Sequence, residues 1–303
     1  MLEWAQRVYL WVREQSPDFG FVSDGLGLEG FFAGTCETCA LADVQHLAVL
    51  LTESGMGDYW DDVERVARNQ LIENQYADED ALRRVFPRIA PDVLAMLHGG
   101  FECAARPNHL LTWDGAEGCC IGGGLRALYL TWRGALSITD AEVRVNMGIS
   151  HNTSAAQVVA DEPQDGRIAV RVNGAPRNVL LRAPSHADLR DAQTLVDDQP
   201  MSVTWDGRYA RFGQLRPGQT AAIQYPLTEV TRAYTIASEH YTGHWRGHTM
   251  LRITPPGDRY PTYNRDITVR NPISERNGAR VASLEIGFLD KVNSSDNFSR
   301  PLW

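Results

Sequence analysis

Residues 36–54 read CETCALADVQHLAVLLTES. Leu41, Val44, Leu47, Ala48 and Leu51 fall at helical spacing and Gly55 follows as a stop, so the spacing predicts a helix over 36–54 with two cysteines and a glutamate in its first turn. Another thiol pair, Cys119-Cys120, opens a helical stretch reaching about Arg133, with Leu125, Leu128 and Trp132 on one side. Helix N-termini carry partial positive charge that favours thiolates, and a tetrahedral site needs about four soft or borderline ligands converging on one point. Both thiol pairs stand at helix starts, so one pocket can collect them. Spacing alone leaves two readings: a metal site, or small buried side chains with at most a structural ion.

Outward from this stretch the helical period persists to about Leu136. Helices are expected at 1–16, from an Asp58 cap to about Gln75, and from an Asp78 cap toward His98 with interruptions at Pro87 and Pro91. After Ser137 the period changes to two, in Val143, Val145, Met147 and again in Ile168, Val170, Val172. Asn173-Gly174 and Asp206-Gly207 are tight-turn dipeptides, and Met201–Trp205 with Arg208–Phe212 reads as a hairpin through a type I′ turn. Further strands fit 221–225, 230–236, 242–245 and 250–253, as in an antiparallel sandwich. The expected division is a helical part at 1–136 and a β-sandwich with a polar tail at 137–303, an α + β multidomain chain. No strand alternates with a helix, which excludes a Rossmann-type sheet.

The chain has 303 residues, 29 Lys+Arg against 38 Asp+Glu, and a formal net charge of −9, which argues against a general grip on nucleic-acid phosphates or anionic lipid. Apolar runs fall short of the roughly 20 residues a membrane span needs. No leader-like segment opens the chain, and the five cysteines are odd in number with two adjacent, a poor disulfide framework. The expectation is therefore a reducing compartment with metal or thiolate chemistry, and either a cytoplasmic protein or one whose true start is missing from this sequence.

Glu37-Thr38-Cys39-Ala40, Tyr59-Trp60-Asp61-Asp62-Val63-Glu64-Arg65, Arg68-Asn69-Gln70-Leu71 and Gly118-Cys119-Cys120 resemble the second half of the catalytic domain of glycoside hydrolase family 127, the β-L-arabinofuranosidase-like enzymes. Leu215-Arg216-Pro217-Gly218-Gln219 and Tyr260-Pro261-Thr262-Tyr263-Asn264-Arg265-Asp266 are similar to the β-sandwich that follows it. The resemblance runs from about residue 18 to 266. It implies a partial (α/α)6 toroid of helical hairpins followed by an antiparallel β-sandwich, and a Zn2+ held by Glu37, Cys39, Cys119 and Cys120. It also implies Cys119 as nucleophile in a retaining hydrolysis through a thioglycosyl intermediate. Such chemistry needs a carboxyl proton donor; the family carries a Glu upstream of the E-T-C motif, where this sequence offers Asp24 first and Glu29 in reserve.

Other residues are weighed beside these. His98 and His109 flank a Gly-, Pro- and Asn-containing loop, and they with Trp113 are expected to contact substrate; Tyr59 is a possible sugar-stacking ring, while Trp60 and Trp132 read as core. Cys36 and Cys103 read as small buried residues, Gly122-Gly123-Gly124 as close packing beside the metal loop, and His46 as surface. The acidic run Asp58, Asp61, Asp62, Glu64 reads as charge bias at a helix start. His240, His244 and His248 read as regularly exposed strand residues, weak as metal ligands.

A complete toroid needs roughly 200 residues, more than precede the strands here. The expectation is a truncated catalytic part that self-associates as a homo-oligomer or pairs with a missing N-terminal half, and acts on a plant-glycan carbohydrate. The expected function is removal of a terminal L-arabinofuranose-like sugar. The competing class is a noncatalytic carbohydrate-binding or assembly protein whose Glu/Cys site is structural; a lyase or epimerase with a Tyr or His base is the third.

Overall fold

The computed structural model describes residues 1–110 and 116–265. Its first part runs α1 (Leu2–Gln15), a short β1 (Cys36–Glu37), α2 (Thr38–Glu53), α3 (Trp60–Val66), α4 (Glu79–Val85), α5 (Pro91–Leu97), β2 (Ala104–Ala105) and α6 (Gly118–Ala135). Cys36 and Glu37 therefore stand in a strand just before α2, not in its first turn, and β1 pairs antiparallel with β2. Asp78 caps α4, its Oδ1 accepting the Ala81 N–H at 2.9 Å. The helix expected toward His98 is two short ones, because the segment around Pro87 breaks it and Pro91 starts α5 at a position where its missing N–H costs nothing. Asp58 donates only part of the expected cap: Tyr59 is the residue preceding α3, and Asp58 Oδ1 accepts the Trp60 N–H at 3.3 Å.

α3 continues as a π-helical turn over Ala67–Leu71. Such a turn frees backbone groups from the regular ladder. Here Arg265 donates to the Arg68 carbonyl at 2.6 Å, and the buried Asn69 side chain donates to the His248 carbonyl and accepts the Met250 N–H, at 2.9 and 2.8 Å. The Arg68-Asn69-Gln70-Leu71 motif is thus a seam between helices and strands.

The strands follow as β3 (Leu136–Ile138), β4 (Glu142–Val145), β5 (His151–Asn152), β6 (Ala156–Ala160), β7 (Arg167–Val172), β8 (Arg177–Arg182), β9 (Gln193–Val196), β10 (Gln199–Pro200), β11 (Thr204–Asp206), β12 (Tyr209–Leu215), β13 (Thr220–Gln224), β14 (Glu229–Ile236), β15 (Glu239–Arg246) and β16 (Thr249–Thr254). One sheet has the order β10-β9-β13-β7-β6-β5, a second β11-β12-β8-β4-β3, and a third β14-β15-β16. The first two share one apolar core, with Val143, Val170, Val179, Phe212 and Ile223 among its buried members. Pairing is antiparallel with one exception that corrects the expected all-antiparallel arrangement: β4 and β8 run parallel, because β5, β6 and β7 between them lie in the other sheet and return the chain in the same direction. Asn173-Gly174 accordingly carries the chain from one sheet to the other. The second tight turn is shifted by one residue: Asp206 pairs with Tyr209, leaving Gly207-Arg208 as the two-residue loop. Of that pair only Gly207 has positive φ, at +57°, as a II′ turn requires and a I′ turn does not.

The third sheet packs on the helices. Ile236, Trp245, Met250 and Tyr263 share a buried cluster with Phe19, Leu41, Trp60 and Leu71, and the Phe19 ring meets Tyr234 and Tyr263 edge-on at 5.1 and 5.9 Å. Tyr59, read from the sequence as a ring that could stack on a sugar, is buried here against Tyr9 at 4.7 Å. Its apolar ring gains more from this core than from solvent. Outward-facing apolar side chains gather on α1, at Leu2, Trp4, Leu10 and Trp11, and on α6, at Leu125 and Tyr129. Among the described residues no helix is long and apolar enough to cross a membrane.

Candidate functional site

Glu37, Cys39, Cys119 and Cys120 each offer one ligand atom to a group whose members lie within 4.8 Å of one another. The local fold explains the convergence. Glu37 is held in β1 by its pairing with Ala104. Thr38 between the two ligands turns inward: its Oγ1 donates to the Glu102 carbonyl at 2.7 Å and accepts from Asn74 at 3.0 Å, so Glu37 and Cys39 are left to face the cluster. Cys119 and Cys120 lie in the first turn of α6, which packs on α2 at Gly123 and on the Phe101 ring at Gly124. A Cβ at Gly123 would come 3.4 Å from Cys39, and one at Gly124 would sit 2.4 Å from the Phe101 ring.

The Sγ of Cys39 is 3.5 Å from that of Cys120, Cys120 is 3.8 Å from Cys119, and Cys120 Sγ is 3.7 Å from Glu37 Oε1. These separations are too long for a disulfide, and all five cysteines are free. A zinc–sulfur bond of about 2.3 Å in a tetrahedron gives sulfur–sulfur edges of about 3.8 Å, so three thiols and a carboxylate at these distances fit a tetrahedral cation of borderline softness. Burial pushes the Cys39 thiol up to about 11 and Cys120 well upward, so these sulfurs hold their protons unless a cation replaces them. Cys120 is buried, Cys39 is half-buried and Cys119 is exposed, so Cys119 is the most solvent-accessible cysteine of the group.

Two features escaped the sequence reading. Cys103, read as a small buried residue, is half-buried beside this group; burial raises its thiol to about 11 while a hydrogen bond with Cys120 opposes the rise. Glu117, the residue before α6, sets Oε2 3.8 Å from Cys119 Sγ. Vicinal spacing to Cys119 was the available signal for the glutamate; none existed for Cys103. Cys36 is fully buried, and burial raises its thiol.

Asp24 stands at the rim, its Oδ1 accepting the Glu37 N–H at 2.6 Å. Burial raises its carboxyl to about 6, opposed by the hydrogen bonds from Glu37 and Thr35. Glu29 is exposed in the loop that follows. His98 ends α5 on the surface, 3.7 Å from Glu79. His109 is half-buried, its Nδ1 2.8 Å from Asn108 Oδ1, in a segment bridged to Pro261. Trp113 and Asp266 lie outside the described residues. His46 is partly exposed, and Trp132 stacks on His151 at 4.5 Å.

The acidic run needs correction. Asp61 and Glu64 are buried ion-pair partners: Arg182 meets Asp61 at 2.5 Å and Asp58 at 2.9 Å, and Arg68 meets Glu64 at 2.7 Å. The guanidinium of Arg182 helps hold the Asp61 carboxyl down to about 2 against the opposing effect of burial. His248 is corrected as well. His240 and His244 are exposed as read, but His248 is buried, because it occupies the second position of the Gly247-His248 turn and escapes strand alternation.

No family model and no curated protein sequence matches the chain. Solved structures do match. A GH127 beta-L-arabinofuranosidase from Geobacillus stearothermophilus T6 superposes with a TM-score of 0.53 at 15% identity over 78% of this chain and 40% of its own. A GH127 beta-arabinofuranosidase gives 0.53 at 16% over 79% and 42%, and a protein described as a glycoside hydrolase gives 0.50 at 16% over 71% and 37%. The fold is GH127-like, and the chain spans about two-fifths of the length of these structures.

Proposed function

We propose that this chain is the zinc-thiolate part of a retaining glycoside hydrolase that removes a terminal L-arabinofuranose-like sugar, with Cys119 as nucleophile. The observation that carries the reading is the convergence of Glu37, Cys39, Cys119 and Cys120 with Cys119 the most exposed of the four. A GH127-like fold supports the carbohydrate class. A zinc ion held by these four residues would keep the thiols ionised at neutral pH.

Cys119 Sγ attacks the anomeric carbon as the glycosidic carbon–oxygen bond breaks, and the departing oxygen takes its proton from a carboxylic acid. The resulting carboxylate then removes a proton from water, whose oxygen displaces the sulfur at the same carbon; sugar leaves with net retention and the thiolate is restored. Asp24 is the assigned carboxyl, and its raised pKa suits a donor near neutrality. Glu117, a further carboxyl beside Cys119, is the control for that assignment. The exposed apolar faces of α1 and α6 support a covering partner, either the missing half of a toroid or a second copy.

The test uses an aryl β-L-arabinofuranoside with a good leaving group, read by aryl alcohol release and by mass spectrometry of the peptide carrying Cys119. Hydrolysis, a pentosyl adduct on that peptide and no turnover in Cys119→Ser are the expected results. Turnover retained in Cys119→Ser would favour a lyase or epimerase. Metal binding and sugar binding with no turnover in any form would favour the noncatalytic reading.

A further inference from the structure

Far along the chain from the thiols, three β-segment connections bring a different donor set together. Glu162 follows β6, His186 follows β8, and His248 lies in the turn between β15 and β16. Each offers a ligand atom within 4.8 Å of the others. His186 Nε2 is 3.3 Å from Glu162 Oε2, and the two imidazole rings meet edge to face at 4.4 Å. Glu162 and His248 are each 2% exposed.

Buried polar atoms are almost always hydrogen-bonded. Here both ring nitrogens of His186 and Nδ1 of His248 are buried with no hydrogen bond among the described residues, His186 Nε2 having only the ion-pair contact with Glu162 and His248 Nδ1 only Glu64 Oε1 at 3.9 Å. Three such nitrogens in one cluster, two of them on a ring beside a carboxylate, are donors in want of an acceptor of their lone pairs. The charge count points the same way. Arg68 pairs with Glu64 and Arg182 with Asp61, whereas the salt-bridge partner of Glu162 among the described residues is His186 alone. Gly247, at φ +60°, lets the turn close on Glu162: a Cβ there would sit 2.5 Å from Oε1. The His248 N–H also donates to that carboxylate, and Tyr225 OH donates at 3.3 Å, so Glu162 is fixed in place rather than free to swing away.

We propose that Glu162, His186 and His248 form a second divalent-cation site, free of thiolate. Two imidazoles and one carboxylate suit Zn2+ and its first-row neighbours and disfavour Ca2+ or Mg2+, which take oxygen ligands. Asp61 Oδ1, 3.4 Å from His248 Nε2, stands next to the group as an orienting acceptor. The site joins the π-turn seam to two β loops, so its role is to fasten the sheets onto the helices.

Cobalt(II) titration of the metal-free chain tests this, because thiolate coordination gives intense near-ultraviolet charge-transfer absorption and imidazole–carboxylate coordination does not. The expected result is one equivalent bound without that absorption, lost in His186→Gln, together with a lower unfolding temperature in the variant. Independently of folding in the variant, cobalt(II) bound there should move the ring-proton NMR signals of two histidines of the native chain into the paramagnetically shifted range. No thiolate-free equivalent in the native chain, its retention in His186→Gln, or histidine ring-proton signals unmoved by that equivalent would each overturn the proposal.

Discussion

The thiol cluster and the imidazole cluster draw on the same kind of convergence but differ in where their members come from. Glu37 and Cys39 sit at the start of α2 and Cys119 and Cys120 at the start of α6, so two short motifs supply four donors, one of them exposed. Glu162, His186 and His248 come from three separate connections and are packed among buried ion pairs. The difference teaches that donors from two short motifs at helix starts can stay open to solvent, while donors gathered from three connections are sealed in the seam between helices and sheets. Changes at the first should alter chemistry with little cost in stability, and changes at the second the reverse.

The largest effect is expected from Cys119→Ser, a fall in glycosidase turnover of about 10³-fold or more with the unfolding midpoint nearly unchanged, checked by steady-state kinetics and denaturant unfolding on one preparation. A large loss of stability would break the contrast. Arg68→Ala should do the opposite. It leaves Glu64 buried without its guanidinium, at a cost of about 3–5 kcal/mol in urea unfolding, while thiol-bound metal stays.

Gly124→Ala couples stability to the thiol cluster, since its new methyl collides with the Phe101 ring and displaces α6, the helix that carries Cys119 and Cys120. It should cost about 1–3 kcal/mol and weaken metal retention by the thiols in competition with a chelator, whereas a purely local cost would leave retention intact. The smallest effect is expected from Asp78→Ala, which removes the α4 cap remote from both clusters: about 1 kcal/mol, with metal content and turnover unmoved.

Legibility followed the same division. The change from helical to two-residue period near Ser137 was visible because apolar alternation reflects which face of each strand is buried, as in Val143 and Val145. The E-T-C motif was legible because neighbours in sequence are neighbours in space at a helix start. The parallel pairing of β4 with β8 was not, since which sheet a strand joins depends on contacts across the core and leaves the period unchanged. Asp61 and Glu64 were misread because an acidic helix start looks alike whether it meets water or Arg182 and Arg68. His248 was misread because a turn residue follows the loop, and one position separated Gly247-His248 from strand alternation. Cys103 met the cluster through the β1–β2 neighbourhood, a contact that its own flanking sequence does not encode.

The central claim is that two separate helix starts build one metal site around an exposed cysteine. Its most direct test is metal content per chain after reconstitution with zinc, comparing the native protein with Cys39→Ser/Cys120→Ser at matched far-ultraviolet circular dichroism. The account predicts that the double variant holds one equivalent fewer than the native chain. Equal zinc content in the two folded proteins would contradict it.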